Sequence, residues 1–135
     1  MAPWTPADLA LLGRTDSLVL TAGDVGHPGV ETGMVLVHGQ LYVRAFRGVG
    51  SGWYRAAHEH GHGRIRVGTV TRDVLLRTDE AGPVAAIEAA YRAKYGSAAS
   101  ALVASTAARA ATVRIDPAPP AGVSTQTLAG ADRTS

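Results

Sequence analysis

Apolar positions along this chain come in short runs. Some repeat every second residue and others every third or fourth, the signatures of strand and helix. The first run is helical. Thr5 offers an N-cap hydroxyl, Pro6 suits the first helical position and Asp8 falls in the first turn. Leu9, Leu11 and Leu12 form the apolar stripe, and Gly13 ends it. Ser17–Thr21 reads as a strand and 22–29 as a turn-rich loop. Glu31–Val37 reads as a second strand, His38-Gly39-Gln40 as a hairpin turn and Leu41–Phe46 as a third strand. Its alternation places Leu41, Val43 and Ala45 on one face and Tyr42, Arg44 and Phe46 on the other.

A glycine-rich loop, Arg47-Gly48-Val49-Gly50-Ser51-Gly52, then opens a helix from Trp53 to about His58, with a second loop over 59–63. Arg64–Val67 and Val70–Thr78 are the next strands, Val70, Val74 and Leu76 sharing a face. Pro83–Tyr95 is the clearest helix. Val84, Ile87, Tyr91 and Tyr95 make its stripe, Glu88 and Arg92 pair on its flank, and Gly96 fits the C′ position. Ser100–Ala108 reads as an alanine-rich helix with Leu102 and Val103 inward, and Thr112–Asp116 as the last strand. This organisation predicts one domain over 1–116 and a disordered tail over 117–135, which has almost no large apolar residue. About six short antiparallel strands with two to three helices predict an α+β fold. The expected form is a small closed or nearly closed β-barrel, because closure hides strand edges. A barrel this small would be apolar outside, so a homodimer is expected.

Composition narrows the chemistry. The 135 residues suit one domain, and a hydrophobic fraction of 46% supplies a core. The absence of cysteine excludes disulfides, thiolate metal sites and a cysteine nucleophile. The start shows no basic region followed by an apolar run, and no apolar stretch has membrane-spanning length, so a cytoplasmic protein with no membrane partner is expected. Between Arg44 and Arg77 seven arginines face only Glu59 and Asp73. Such a patch suits the phosphate of a small cofactor. A nucleic-acid surface would carry more lysine and more stacking aromatics, so nucleic acid is not the expected partner.

The best candidate site is 44–55. Arg44 ends a strand, Arg47 stands at the loop mouth, the glycines let backbone N–H groups approach a ligand, and Ser51 places a hydroxyl at a helix N-terminus. These features describe an anion site. Trp53 and Tyr54 could flank a planar ring. Three imidazoles alternate in His58-Glu59-His60-Gly61-His62, but the glycines make a flexible loop and no fourth ligand is suggested, so no metal is expected. Tyr91 and Lys94-Tyr95 lack the Tyr-x-x-x-Lys spacing of reductases, and both tyrosines read as core, with Lys94 open as a phosphate or substrate contact. Glu31, with Thr32, would face a pocket mouth. Tyr91, His58 and Glu31 are the only candidates for acid–base work, and no serine triad or paired carboxylates are suggested.

At 41–48, at Trp53-Tyr54-Arg55-Ala56-Ala57 and at Ala90-Tyr91-Arg92-Ala93-Lys94-Tyr95-Gly96, the chain resembles a small bacterial family of unknown function related to the FMN-binding split barrels. Its relatives include pyridoxamine phosphate oxidases and deazaflavin-dependent nitroreductases. The resemblance covers about Asp8 to Asp116. It implies a split barrel, usually dimeric, with cofactor sites at the subunit interface. By position it implicates Arg44, Arg47 and Ser51 in holding phosphate, and Glu31 to Met34, Thr32 among them, in contacting the ring system. Trp53 and Tyr54 would shape the pocket. The expected activity is that of a flavin- or deazaflavin-dependent oxidoreductase acting on a small organic substrate, with FMN or a deazaflavin as cofactor. The chain departs from the flavin-binding relatives at 53–57 and at Thr32-Gly33-Met34. Two alternatives therefore stay open: a cofactor-free isomerase or cyclase using the barrel cavity, and a non-catalytic small-molecule-binding module.

Overall fold

The computed structural model describes residues 4–23, 29–45, 48, 50–79 and 82–118. The expectations at Phe46, Arg47, Val49, 24–28 and 119–135 lie outside the described residues. In chain order the elements are α1 (Pro6–Arg14), β1 (Leu18–Ala22), β2 (Val30–Thr32), β3 (Val35–Val37), β4 (Gln40–Arg44), α2 (Gly52–His60), β5 (His62–Val67), β6 (Val70–Arg77), α3 (Val84–Tyr95), α4 (Ser97–Val103), α5 (Thr106–Ala110) and β7 (Thr112–Pro117). Among the described residues no helix is long and apolar enough to cross a membrane.

The strands form one antiparallel sheet in the order β2-β1-β5-β6-β7-β4-β3. Its curvature follows from connectivity. The two edge strands, β2 and β3, are separated in the chain only by Gly33 and Met34. Three Cα–Cα steps span at most about 11 Å. Seven strands laid flat would put the edges about 29 Å apart. The sheet must therefore curl until its edges nearly meet, which gives the α+β fold its curled half-barrel.

The expected second strand is thus two strands at opposite edges of the sheet, which brings the described strands to seven. The break is held by Tyr95. Its hydroxyl accepts from Met34 N–H at 2.9 Å and lies 3.0 Å from Met34 O and 2.6 Å from Asp16 O. A methyl group at Gly33 would meet the Tyr95 ring at 3.2 Å, so the ring would have to give by a few tenths of an ångström to admit it. Two further boundaries move for local reasons. α2 continues through Glu59 and His60 because Gly61, at φ 71°, caps it by donating its N–H to Ala57 O, and His62 already belongs to β5. The alanine-rich helix is two helices, since the Ser105 hydroxyl accepts from Ala108 N–H and starts α5. The last strand runs to Pro117, opposite Val74.

Alternation along β4 and β7 sorts side chains between two cores. Leu41, Val43, Val113 and Ile115 join Leu18, Leu20, Ile65 and Leu76 inside the curl, with Leu12 of α1 and Tyr54 and Ala57 of α2 in the same cluster. Trp4 belongs to it too, its indole N–H donating to Ile115 O at 3.1 Å. Outside, Tyr42 packs with Val35 and Val37 against Ile87 and Tyr91 of α3 and Val103 of α4. That second layer positions the site, because it covers the outer end of β4.

Candidate functional site

Arg44 is the last residue of β4, paired with Thr112 of β7 on the outer face. Its side chain is 0% exposed, held among β7, α3 and α4. Charge buried this deeply requires compensation. Arg44 Nε donates to Thr112 Oγ1 at 2.9 Å, and Nη1 donates to Glu88 Oε2 and to Val103 O, each at 2.8 Å. Arg109 of α5 forks onto the same carboxylate at 2.6 and 2.8 Å. The Arg109 hydrogen bonds, opposed by desolvation and aided by Arg44, bring the Glu88 carboxyl down to about 2. Among the described residues two guanidiniums share this one carboxylate, so the cluster keeps an excess of positive charge.

The third guanidinium nitrogen of Arg44, Nη2, is buried and has no hydrogen-bond partner among the described residues, and the same holds for the hydroxyl of Ser51. Buried polar atoms in this state cost roughly 1–3 kcal/mol each, which makes a pair of them on one cavity wall unusual. Ser51 is the N-cap of α2, yet its side chain makes no cap bond, and the first turn of α2 has no acidic residue to offset its dipole. A cavity of about 670 Å³ is lined by both residues, with Gly52 and Trp53 on the α2 side and Glu31 and Thr32 of β2 opposite. A second recess of about 340 Å³ shares Glu31, Thr32 and Arg44 with the first and adds Tyr91, Tyr95 and Leu102. The cleft is polarised. Arg44, Ser51 and the start of α2 attract an anion, while the exposed Glu31, which accepts from Ser17 Oγ at 2.6 Å, offers a carboxylate to a donor.

Of the residues singled out in the sequence, Glu31, Thr32, Arg44, Ser51 and Trp53 meet on this cleft, and Tyr91 walls the smaller recess. Arg44 is engaged with Glu88 and Thr112 and presents only Nη2 to a ligand. Arg47 lies outside the described residues. Tyr54 is not brought to the cleft, because the pitch of α2 turns it into the barrel core, its hydroxyl 3.4 Å from Thr78 O. His58 is exposed elsewhere on α2, 2.7 Å from the Thr78 hydroxyl and stacked on Tyr54. Lys94 lines neither cavity. Its ammonium donates to Met34 O at 2.9 Å and lies 3.4 Å from Leu12 O, and burial lowers its pKa. Burial likewise raises the Tyr91 phenol, against a hydrogen bond from the Arg44 backbone and the Arg44 charge, so the phenol stays protonated. His58 and His60 end α2 while His62 opens β5, and among the described residues no three metal-ligating side chains converge.

Glu88 is the residue that sequence reasoning assigned only to a surface pair with Arg92. A signal was there: Glu88 stands four residues after Val84 and three before Tyr91, on the apolar stripe itself. An acid on a buried stripe calls for a buried cation, and Arg44 on the outward face of β4 is that cation. Thr112 and Arg109 carried no such mark.

The chain has no match among curated proteins. The matching family model spans residues 22–115, from the end of β1 to β7, and so takes in Glu31, Arg44, Ser51 and Glu88; the chain belongs to the family described as an uncharacterized protein conserved in bacteria (DUF2255).

Proposed function

We propose that the larger cavity receives the phosphate of a planar, phosphorylated cofactor of the flavin or deazaflavin class, and that the protein is an oxidoreductase acting on a small organic substrate beside it. The observation that carries this reading is the pair of buried, unpartnered polar atoms, Arg44 Nη2 and Ser51 Oγ, on one cavity at the N-terminus of α2. A phosphate oxygen between them would satisfy both and meet the helix dipole. The donor set fits that group: one guanidinium N–H, one hydroxyl and the unopposed first turn of α2. The cavity also lies within the range of small-molecule sites, about 300–1,000 Å³. Trp53 offers a half-buried aromatic wall to a ring, and Glu31 can accept from a ring N–H. Arg44 is held in place by Thr112, Val103 and Glu88 before any ligand arrives, so little is lost in ordering it. When bound, such a ring supplies the hydride chemistry; the chain supplies position and charge.

The test is an absorption spectrum of the purified protein with equilibrium titrations of FMN and a deazaflavin cofactor. Micromolar binding is expected, weakened about tenfold by Ser51→Ala through loss of a hydrogen bond to a charged group. Ser51 is the better probe than Arg44, whose removal would leave Glu88 buried with less compensation. A colourless protein that binds neither compound refutes the proposal.

A further inference from the structure

The smaller recess shares Glu31, Thr32 and Arg44 with the larger cavity but has its own aromatic walls. Its walls are the rings of Tyr91 and Tyr95, 5.8 Å apart between centroids and inclined at 34°, with Val103 behind them. Its lip is Leu102, which is 59% exposed and is the one large apolar side chain left exposed among the described residues. The sequence pattern put Leu102 inward; the end of α4 instead holds it out over this opening. Uncovered apolar surface beside two aromatic rings favours a ligand with an apolar body.

The charges decide which kind of body. Arg44 reaches this recess too, but its side chain is fully buried and held on Thr112, Glu88 and Val103, so it presents no exposed cation to the opening. Asp16 also lines the recess, and the Lys94 ammonium feels its charge without forming an ion pair with it. Among the described residues Glu31 has no ion pair: its carboxylate is met there only by the neutral Ser17 hydroxyl, and it lines both recesses. We propose that this recess binds a small organic cation, an ammonium carried on an aromatic or branched aliphatic body, with the ammonium on the Glu31 carboxylate and the body against Tyr91, Tyr95 and Leu102. Aromatic faces add to the attraction for a cation, which an apolar pocket alone would not provide. The site shares Glu31 with the proposed cofactor pocket but not the phosphate donor Ser51, so it survives failure of the phosphate reading.

The full-length protein, in phosphate-free buffer, is titrated with benzylamine and with benzyl alcohol as its uncharged counterpart, followed by calorimetry. Benzylamine is expected to bind with a Kd of roughly a millimolar or tighter, a reasonable value for a ligand of its size. Benzyl alcohol should bind about tenfold more weakly, and Glu31→Gln should weaken benzylamine about tenfold, the effect of losing a charged hydrogen-bond partner. Leu102→Ser should cost a further severalfold through lost apolar contact. Both side chains are exposed, so the variants keep the fold. Ser51→Ala should leave benzylamine affinity unchanged, which separates this site from the phosphate site. Failure of benzylamine to saturate the wild-type protein overturns the proposal. Equal affinity in wild type and Glu31→Gln overturns it as well, even if Leu102→Ser binds more weakly, since the recess would then select for apolarity without charge.

Discussion

Replacing Glu88 by glutamine tests the electrostatic argument directly. The shape and one acceptor remain, while the charge that compensates Arg44 goes. Arg44 is wholly buried, and among the described residues the acceptors left to its guanidinium, Thr112 Oγ1, Val103 O and the new amide oxygen, would all be neutral. Breaking a buried ion pair from one side costs about 3–5 kcal/mol. Arg109, whose side chain is 47% exposed, is released to water at little cost, so about 3 kcal/mol is expected. In urea that moves the unfolding midpoint by about 1.5 M at an m-value near 2 kcal/mol/M. The pH dependence gives a second reading. The Glu88 carboxyl is depressed from 4.5 to about 2 in the fold. Its contribution is therefore complete above the unfolded value near pH 4.5 and is lost as pH falls toward 2. With the exposed Arg109 screened by solvent, that loss is on the order of 2 kcal/mol. The stability gap between wild type and Glu88→Gln should thus narrow from about 3 kcal/mol at pH 7 to about 1 kcal/mol at pH 2. Adding Arg44→Met to Glu88→Gln should recover at least half of the loss, because the unmatched charge is gone. A variant within 1 kcal/mol of wild type at pH 7, or a gap that does not change with pH, would refute the reasoning.

Three further outcomes are expected. Tyr95→Phe removes the hydroxyl that bonds the β2–β3 break and leaves Met34 N–H without its partner, so thermal unfolding should report a loss of about 1–3 kcal/mol. Gly63→Ala would press a methyl group onto the Thr21 carbonyl and within 3.0 Å of Ala22 Cα across the β1–β5 ladder; a loss of about 1–3 kcal/mol in urea melts is expected, and wild-type stability would show that the strands can separate freely there. The N-caps Thr5 and Ser51 should behave differently: Thr5→Ala, which breaks a 3.1 Å bond from Asp8 N–H, should cost about 1 kcal/mol, while Ser51→Ala, which breaks none, should cost less than about 0.5 kcal/mol in the ligand-free protein.

The sequence by itself settled what depends on near neighbours. Thr5, Pro6 and Asp8 marked the start of α1, and the thermodynamics of capping are local enough to read from three residues. Alternation at 41–45 divided Leu41 and Val43 from Tyr42 and Arg44, since the strand period leaves no other arrangement. The strand–loop–helix order brought Arg44 and Ser51 within reach of one cavity. What the tertiary structure alone decided depends on distant partners. The run 30–37 has the composition of one strand; it becomes two because Tyr95, some sixty residues on, takes over the hydrogen bonds of Met34. Tyr54 looked like a ring-binding residue beside Trp53, but one helical step of about 100° separates wall from core. Arg44 reads in sequence as a free cation. Only the packing of α3 over β4 shows it bound to Glu88, with a single nitrogen left for a ligand, because charge pairing in a low-dielectric layer is fixed by which elements meet there.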